Sequence, residues 1–239
     1  MVRAFRRHLG TILITVGAVL IVYALAVVFW RDPVTDAINS YRQHQLQAPL
    51  AAVNREYARI VATEDDPPAT VTIPVSETLR DAHRVASQFA AEYGKKIGDP
   101  IGKIHIGRMG ITAIVVQGTD SDSLTKGPGH YETTEFPGQG RTIGIAGHRT
   151  TYGAWFRHID DLKTGDQITL RMPYGTFAYA VTSHKIVKNN DWSIIKDVGY
   201  EQLMLSACHP LFTATHRYVV FARLIRVQLI GRHSVTLPT

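Results

Sequence analysis

Apolar residues along this chain change their period three times. From Leu9 to Trp30 they run without a charged side chain, mostly as Ile, Leu, Val, Ala and Gly. A run of 22 positions is enough to cross a bilayer, which takes about 20 helical residues. Residues 31–62 then mix Ala, Leu, Gln, Arg and Glu in a helical manner. Thr63-Glu-Asp-Asp-Pro-Pro-Ala-Thr70 interrupts them, and its two prolines and three acids predict a solvated, semi-extended linker. A helical period returns with Leu79, Ala82, Ala86, Phe89, Ala90 and Tyr93 on one face. That helix is expected from about Glu77 to Tyr93, capped by Ser76 and stopped at Gly94, with its apolar face on the domain that follows.

From Pro100 the period shortens to two. Ile101–Ile106 alternates apolar and polar, Gly107-Arg-Met-Gly110 turns, and Ile111–Val116 follows. Residues 120–140, dense in Gly and Pro, predict a loop or short helix. Further strands are expected at Thr142–Ala146, Gln167–Arg171, Phe177–Lys188, Leu203–Ala207 and Arg217–Ile230, with a turn at Pro173-Tyr174-Gly175. Such a succession of short strands and turns predicts a closed, mostly antiparallel barrel. The pattern divides the chain into a cytoplasmic tail (1–8), an anchor (9–30), an extracellular linker with helical segments (31–95), a barrel domain (96–230) and a C-terminal tail (231–239).

Charge orients the anchor. Arg3, Arg6 and Arg7 precede the apolar run with no acid among them, whereas Arg31-Asp32 beyond it is balanced. The positive-inside bias then puts the N-terminus in the cytoplasm and the barrel outside, as a single-pass membrane protein. Trp30 suits the outer interface. A cleaved signal peptide is the competing reading, since Ala24-Leu25-Ala26 resembles a cleavage site. The apolar run continues past it to Trp30, which favours a retained anchor. Those three arginines carry half of the formal net charge of +6. The rest of the chain is only mildly basic, which suits an anionic envelope. It lacks the concentrated basic face of a nucleic-acid binder, so no nucleic-acid partner is expected.

Compartment makes Cys208 conspicuous. Outside the cytoplasm cysteines are normally paired, and this chain has only one. A lone thiol kept there is either a small buried hydrophobe or a group whose reactivity is used. His148 in Ala-Gly-His-Arg and Arg217 in His-Arg-Tyr-Val-Val tilt the choice, since Cys, His and Arg supply a nucleophile, a base and an oxyanion donor. Cys208, His209, His216 and His148 match none of the usual zinc spacings, and residues 120–135 have no calcium-loop spacing. No metal or other cofactor is expected.

Five segments together resemble the sortases, cysteine transpeptidases of Gram-positive envelopes. They are Ile-Gly-Lys-Ile-His-Ile-Gly-Arg-Met-Gly-Ile (101–111), Ala-Gly-His-Arg (146–149), Phe-Arg-His-Ile-Asp-Asp-Leu (156–162), Leu-Ser-Ala-Cys-His-Pro (205–210) and His-Arg-Tyr-Val-Val (216–220). Gly-Pro-Gly-His-Tyr (127–131) and Cys-His-Pro look most like class E sortases of actinobacteria. The resemblance implies an all-β fold: a closed eight-stranded barrel with short helices, preceded by one transmembrane helix and a partly helical linker. It implies Cys208 as nucleophile, His148 as acid/base and Arg217 as oxyanion stabiliser. The implied substrates are secreted proteins carrying a Leu-Ala-x-Thr-Gly or Leu-Pro-x-Thr-Gly signal, cleaved between Thr and Gly. The implied acceptor is an amine of a peptidoglycan precursor or pilin. Ala207 departs from the family, which usually has Thr there, and puts peptide preference or rate in question.

Around the nucleophile, Ser206, Ala207 and His209 are expected at the peptide groove, His209 also shaping the Cys208 loop with Pro210, and strand packing is the alternative for Ser206. Tyr131 has two readings: a reader of the second signal residue through its backbone amide, or an exposed loop tyrosine. An L,D-transpeptidase-like enzyme would carry Arg close after a Gly-Cys pair, which this chain lacks. A catalytically silent assembly module on the same barrel is the remaining rival.

Overall fold

The computed structural model describes residues 2–29, 33–62, 74–232 and 234–237. Trp30, the Arg31-Asp32 pair and the Pro-Pro linker lie outside the described residues. Three helices come first: α1 (Val2–Phe29), α2 (Pro33–Ala62) and α3 (Val75–Tyr93). Within α1, His8–Leu25 is long and apolar enough to cross a membrane, and none of it is buried in the protein. α3 starts after Pro74, and Ser76, the expected cap, lies inside its first turn with no capping bond at the N-terminus. Pro74 suffices because proline fixes an extended-to-helical entry and has no amide to satisfy. Gly94 closes the helix as expected, with its N–H on the Ala90 carbonyl.

Nine strands follow: β1 (Pro100–Ile106), β2 (Ile111–Gln117), β3 (Gly129–His130), β4 (Thr142–Ala146), β5 (Gln167–Met172), β6 (Gly175–Lys188), β7 (Gln202–His209), β8 (His216–Leu229) and β9 (Val235–Thr236). The short helix α4 (Ser121–Lys126) separates β2 from β3, and Asp120 caps it by accepting from the Asp122 and Ser123 amides. Their order is β6-β5-β1-β2-β3-β4-β7-β8, and β6 pairs again with β8 to close eight strands into a barrel. β9 adds to β8 beyond the end of β7. Pairing is antiparallel except for β2–β3 and β4–β7, which run parallel. β7 extends to His209, so Cys208 lies inside the strand and not after it, as the apolar pattern had suggested. The pattern ended too early because Cys208 and His209 are only half-buried, beyond the apolar stretch.

α3 lays Ala82, Val85, Ala86, Phe89 and Tyr93 into the main core. Phe89 is fully buried and makes edge contacts to Tyr57 and Phe136 and a stacked one to Tyr93. Such burial contributes about 1.5–3 kcal/mol. α2 covers the other flank, with Leu46 and Leu50 on Ile114 and Val116. β3 pairs with β2 only at Val116 and Gln117, which leaves an open edge at Ile114. Gln43 fills it: Oε1 accepts from Ile114 N–H (2.6 Å), and Nε2 donates to the carbonyls of Ile114 (3.1 Å) and Lys126 (2.8 Å). One side chain thus stands in for a missing strand, as unpaired edge amides require.

Candidate active site

Strand alternation decides which residues meet. Along β7, Leu203, Leu205 and Ala207 enter the main interior cluster, while Met204 joins Val187, Ile194 and Val219 in a second cluster. Successive strand residues face opposite ways, so Ser206 and Cys208 share the face of Met204. On β8, Tyr218, Val220 and Ala222 point inward, leaving Arg217 on the face of Val219. Cys208 and Arg217 are directly opposed in the β7–β8 ladder. Opposed residues hold their Cβ atoms about 4.5–5.5 Å apart.

His148 arrives from a third strand. β4 runs parallel to β7 with Ala146 beside Ser206, and Gly147 N–H donates to the Ser206 carbonyl at 3.0 Å. His148 lies two residues past the end of β4 and borders the same cleft as Cys208. All three side chains border one cleft of about 270 Å³. Gly147 itself is required by packing: any Cβ there would overlap the Phe156 ring.

His148 is half-buried, with a buried Nε2 that has no hydrogen-bond partner. Burial holds its imidazole below the ordinary histidine value, so the ring is neutral at pH 7 and Nε2 or Nδ1 can accept a proton. Its ring lies 5.1 Å from that of Tyr152. Cys208 is half-buried and free. Arg217 Nη1 donates to the carbonyls of Ala214 and His216, both at 3.2 Å, which fastens the guanidinium to the turn before β8. Among the described residues no carboxylate forms an ion pair with it.

The remaining expected residues separate. Ser206 and Tyr131 both border the cleft, and their hydroxyls are 2.9 Å apart. Tyr131 is half-buried, which removes the exposed-loop alternative. Ala207 borders the cleft, but its methyl belongs to the interior cluster. A threonine there would direct its side chain inward, so the peptide groove is not simply one hydroxyl short. His209 is not on the cleft lining. As a neighbour of Cys208 it faces the other way, and its Nδ1 accepts from Arg149 Nη1 at 3.0 Å. His216 is its ladder partner on that same opposite face. Cys208 and these two histidines therefore cannot share one metal. Among the described residues no group of three His, Cys, Asp or Glu side chains is placed to hold one.

Two features had no sequence signal. The cleft wall of Asn189, Asp191 and Trp192 comes from the loop before β7, and nothing in its spacing relates it to Cys208. Arg149 is buried at 3% exposure, although an arginine beside a candidate catalytic histidine reads equally well as solvated.

Comparison with known proteins decides the family. Residues 104–225 match the Sortase domain model, half of the chain. The chain belongs to the sortase family. Sortase D of Bacillus subtilis is 34% identical over 137 residues, covering 56% of this chain and 68% of that one. Sortase SrtE1 of Streptomyces coelicolor is 26% identical over 144 residues, but this chain spans only 41% of its length. The structure of sortase E from Streptomyces avermitilis superposes with a TM-score of 0.51 at 31% identity, covering 57% of this chain and 96% of that one. The expected likeness to class E sortases is met in the two Streptomyces proteins, with a sortase D beside them. Sortases are cysteine transpeptidases, and the chain is an enzyme of this kind. The L,D-transpeptidase alternative falls with this assignment.

Proposed function

We propose that this sortase cleaves a C-terminal sorting signal between Thr and Gly and transfers the protein to an envelope amine. Cys208 is the nucleophile, His148 the proton carrier and Arg217 the oxyanion donor. The observation that supports the reading best is the opposition of Cys208 and Arg217 across one ladder, with His148, two residues past the end of β4, bordering the same cleft. The neutral imidazole takes the thiol proton as sulfur attacks the threonine carbonyl carbon. Arg217 donates to the oxygen as it gains charge. The tetrahedral adduct collapses: the C–N bond breaks, His148 returns its proton to the leaving glycine amine, and a thioester remains. An incoming amine attacks the thioester and gives a proton to His148, the C–S bond breaks, and the leaving sulfur takes that proton back from His148. Peptidoglycan-precursor or pilin amines are the acceptors in this reading.

The signal is of the Leu-Ala-x-Thr-Gly or Leu-Pro-x-Thr-Gly type, with Tyr131 and Ser206 in its groove. Residues 9–30 anchor the protein in the membrane, residues 31–95 link, and residues 96–230 form the catalytic domain outside the cell. Cys208→Ala should abolish thioester formation and peptide cleavage while leaving the fold intact. His148→Ala and Arg217→Ala should each lower kcat/KM by at least about 10²-fold. Cleavage of a fluorogenic sorting peptide and mass detection of the thioacyl enzyme provide the check. Wild-type cleavage by Cys208→Ala would refute the mechanism. A wild-type protein that binds the peptide and never forms the adduct would be the silent module.

A further inference from the structure

The residues that follow the three reacting groups are Arg149, His209 and Tyr218, and one guanidinium gathers them. Arg149 Nη1 donates to His209 Nδ1 at 3.0 Å, and its carbon lies 5.7 Å from the centre of the Tyr218 ring. Nε donates to the Arg157 carbonyl at 3.2 Å, and Nη2 pairs with Asp160 Oδ2. Arg149 is 3% exposed, while its carboxylate partner is largely open to solvent. A buried charge whose one ion pair among the described residues is half in water adds little net stability. Its bonds instead tie the loop after β4 to the end of β7, and its guanidinium packs near the Tyr218 ring at the start of β8. His148, Cys208 and Arg217 sit one residue before those ties.

We propose that Arg149 is a positioning residue for the reaction, setting the spacing of His148, Cys208 and Arg217 from the back of the sheet. The inference rests on the assignment of those three as the reacting groups. A strand reverses its side chains at each residue, so a bond made behind position 209 constrains the thiol in front of it. A guanidinium supplies several donors in one rigid plane, so it can hold His209, the Arg157 carbonyl and Asp160 at fixed angles. A lysine would reach only part of that set. Because Arg149 can only donate, His209 Nδ1 must stay unprotonated and its proton sits on Nε2.

The test uses the full chain in detergent, with circular dichroism and melting to establish folding. Cys208 alkylation by iodoacetamide is followed against pH, and kcat and KM are measured on a Leu-Ala-x-Thr-Gly peptide. Folded Arg149→Met should lose about tenfold or more in kcat, the scale of a sub-ångström misplacement. KM should stay within about twofold, since the peptide groove is untouched. Its alkylation profile should move toward that of His148→Ala, and Arg149→Lys should recover part of kcat. His209→Ala, which removes only the tie beside Cys208, should move the profile in the same direction.

An unchanged profile and kcat in folded Arg149→Met would overturn the proposal. If Arg149→Met does not fold, an unchanged profile in His209→Ala overturns it. Alkylation needs no peptide, so the two readings fail separately. A wild type that leaves the peptide uncut, with a profile that still moves in Arg149→Met, refutes the assigned substrate and upholds the role of Arg149.

Discussion

In the proposed reaction, peptide preference is assigned to Tyr131. Its hydroxyl meets the Ser206 hydroxyl at 2.9 Å on the cleft wall. A phenol that gives its proton to Ser206 keeps a lone pair for one incoming N–H. Alanine at the second signal position offers that N–H, and proline does not. One such bond is worth about 0.5–1.5 kcal/mol, or up to about tenfold in kcat/KM. Tyr131→Phe should therefore narrow the preference for Leu-Ala-x-Thr-Gly over Leu-Pro-x-Thr-Gly, mainly by losing rate on the alanine peptide. The ratio of kcat/KM for the two peptides is the measurement. An unchanged ratio would leave Tyr131 as a partner of Ser206 alone. Ala207 sends its methyl into the interior cluster, so it enters this balance only through packing.

At the scale of elements, the barrel depends on a helix that precedes it. Gln43 of α2 holds the open edge of β2 with two hydrogen bonds and the Lys126 carbonyl of α4 with a third, and Arg42 donates to the Thr125 carbonyl at 2.9 Å. Gln43→Ala leaves the Ile114 amide and carbonyl without partners, at a cost of about 2 kcal/mol. For a chain of this size that is a fall in Tm of about 4–8 °C. Gln43→Glu should be worse, because its second oxygen would face the Ile114 and Lys126 carbonyls. Thermal melting of the two variants checks the order, and equal melting would return α2 to a passive cover. The apolar pattern shows that α2 is helical but not that it serves as a strand. A glutamine that satisfies a strand edge 71 residues further along the chain has no local signature. The same limit hid Glu201, whose carboxylate accepts from the Gly138 and Gly140 amides and from the Tyr179 hydroxyl.

For the whole molecule, the proposed function places the apolar helix α1 in a bilayer and the barrel in water. His8–Leu25 is fully exposed to the surroundings of the protein, which in water would be a large unpaid apolar surface. In a bilayer it is at home. The protein should sediment with membranes, and protease added outside wall-stripped cells should digest the barrel side of the anchor. Terminal sequencing that finds a mature end at Val27 would show a cleaved signal in place of an anchor.

Period and composition by themselves located the apolar helix and every described strand except the two-residue β3 and β9, and singled out Cys208, His148 and Arg217 as candidates. These depend on local pattern: alternation marks a strand and an uncharged run marks a span, whatever the rest of the chain does. Pairing was another matter. That β4 and β7 run parallel and that Arg149 reaches His209 depend on contacts between segments 60 residues apart, and that Cys208 opposes Arg217 depends on the register of the β7–β8 pair. Register also reversed the expectation for His209, because one step along a strand exchanges the faces of the sheet. Only closure of the barrel decides which face becomes the cleft and which its support.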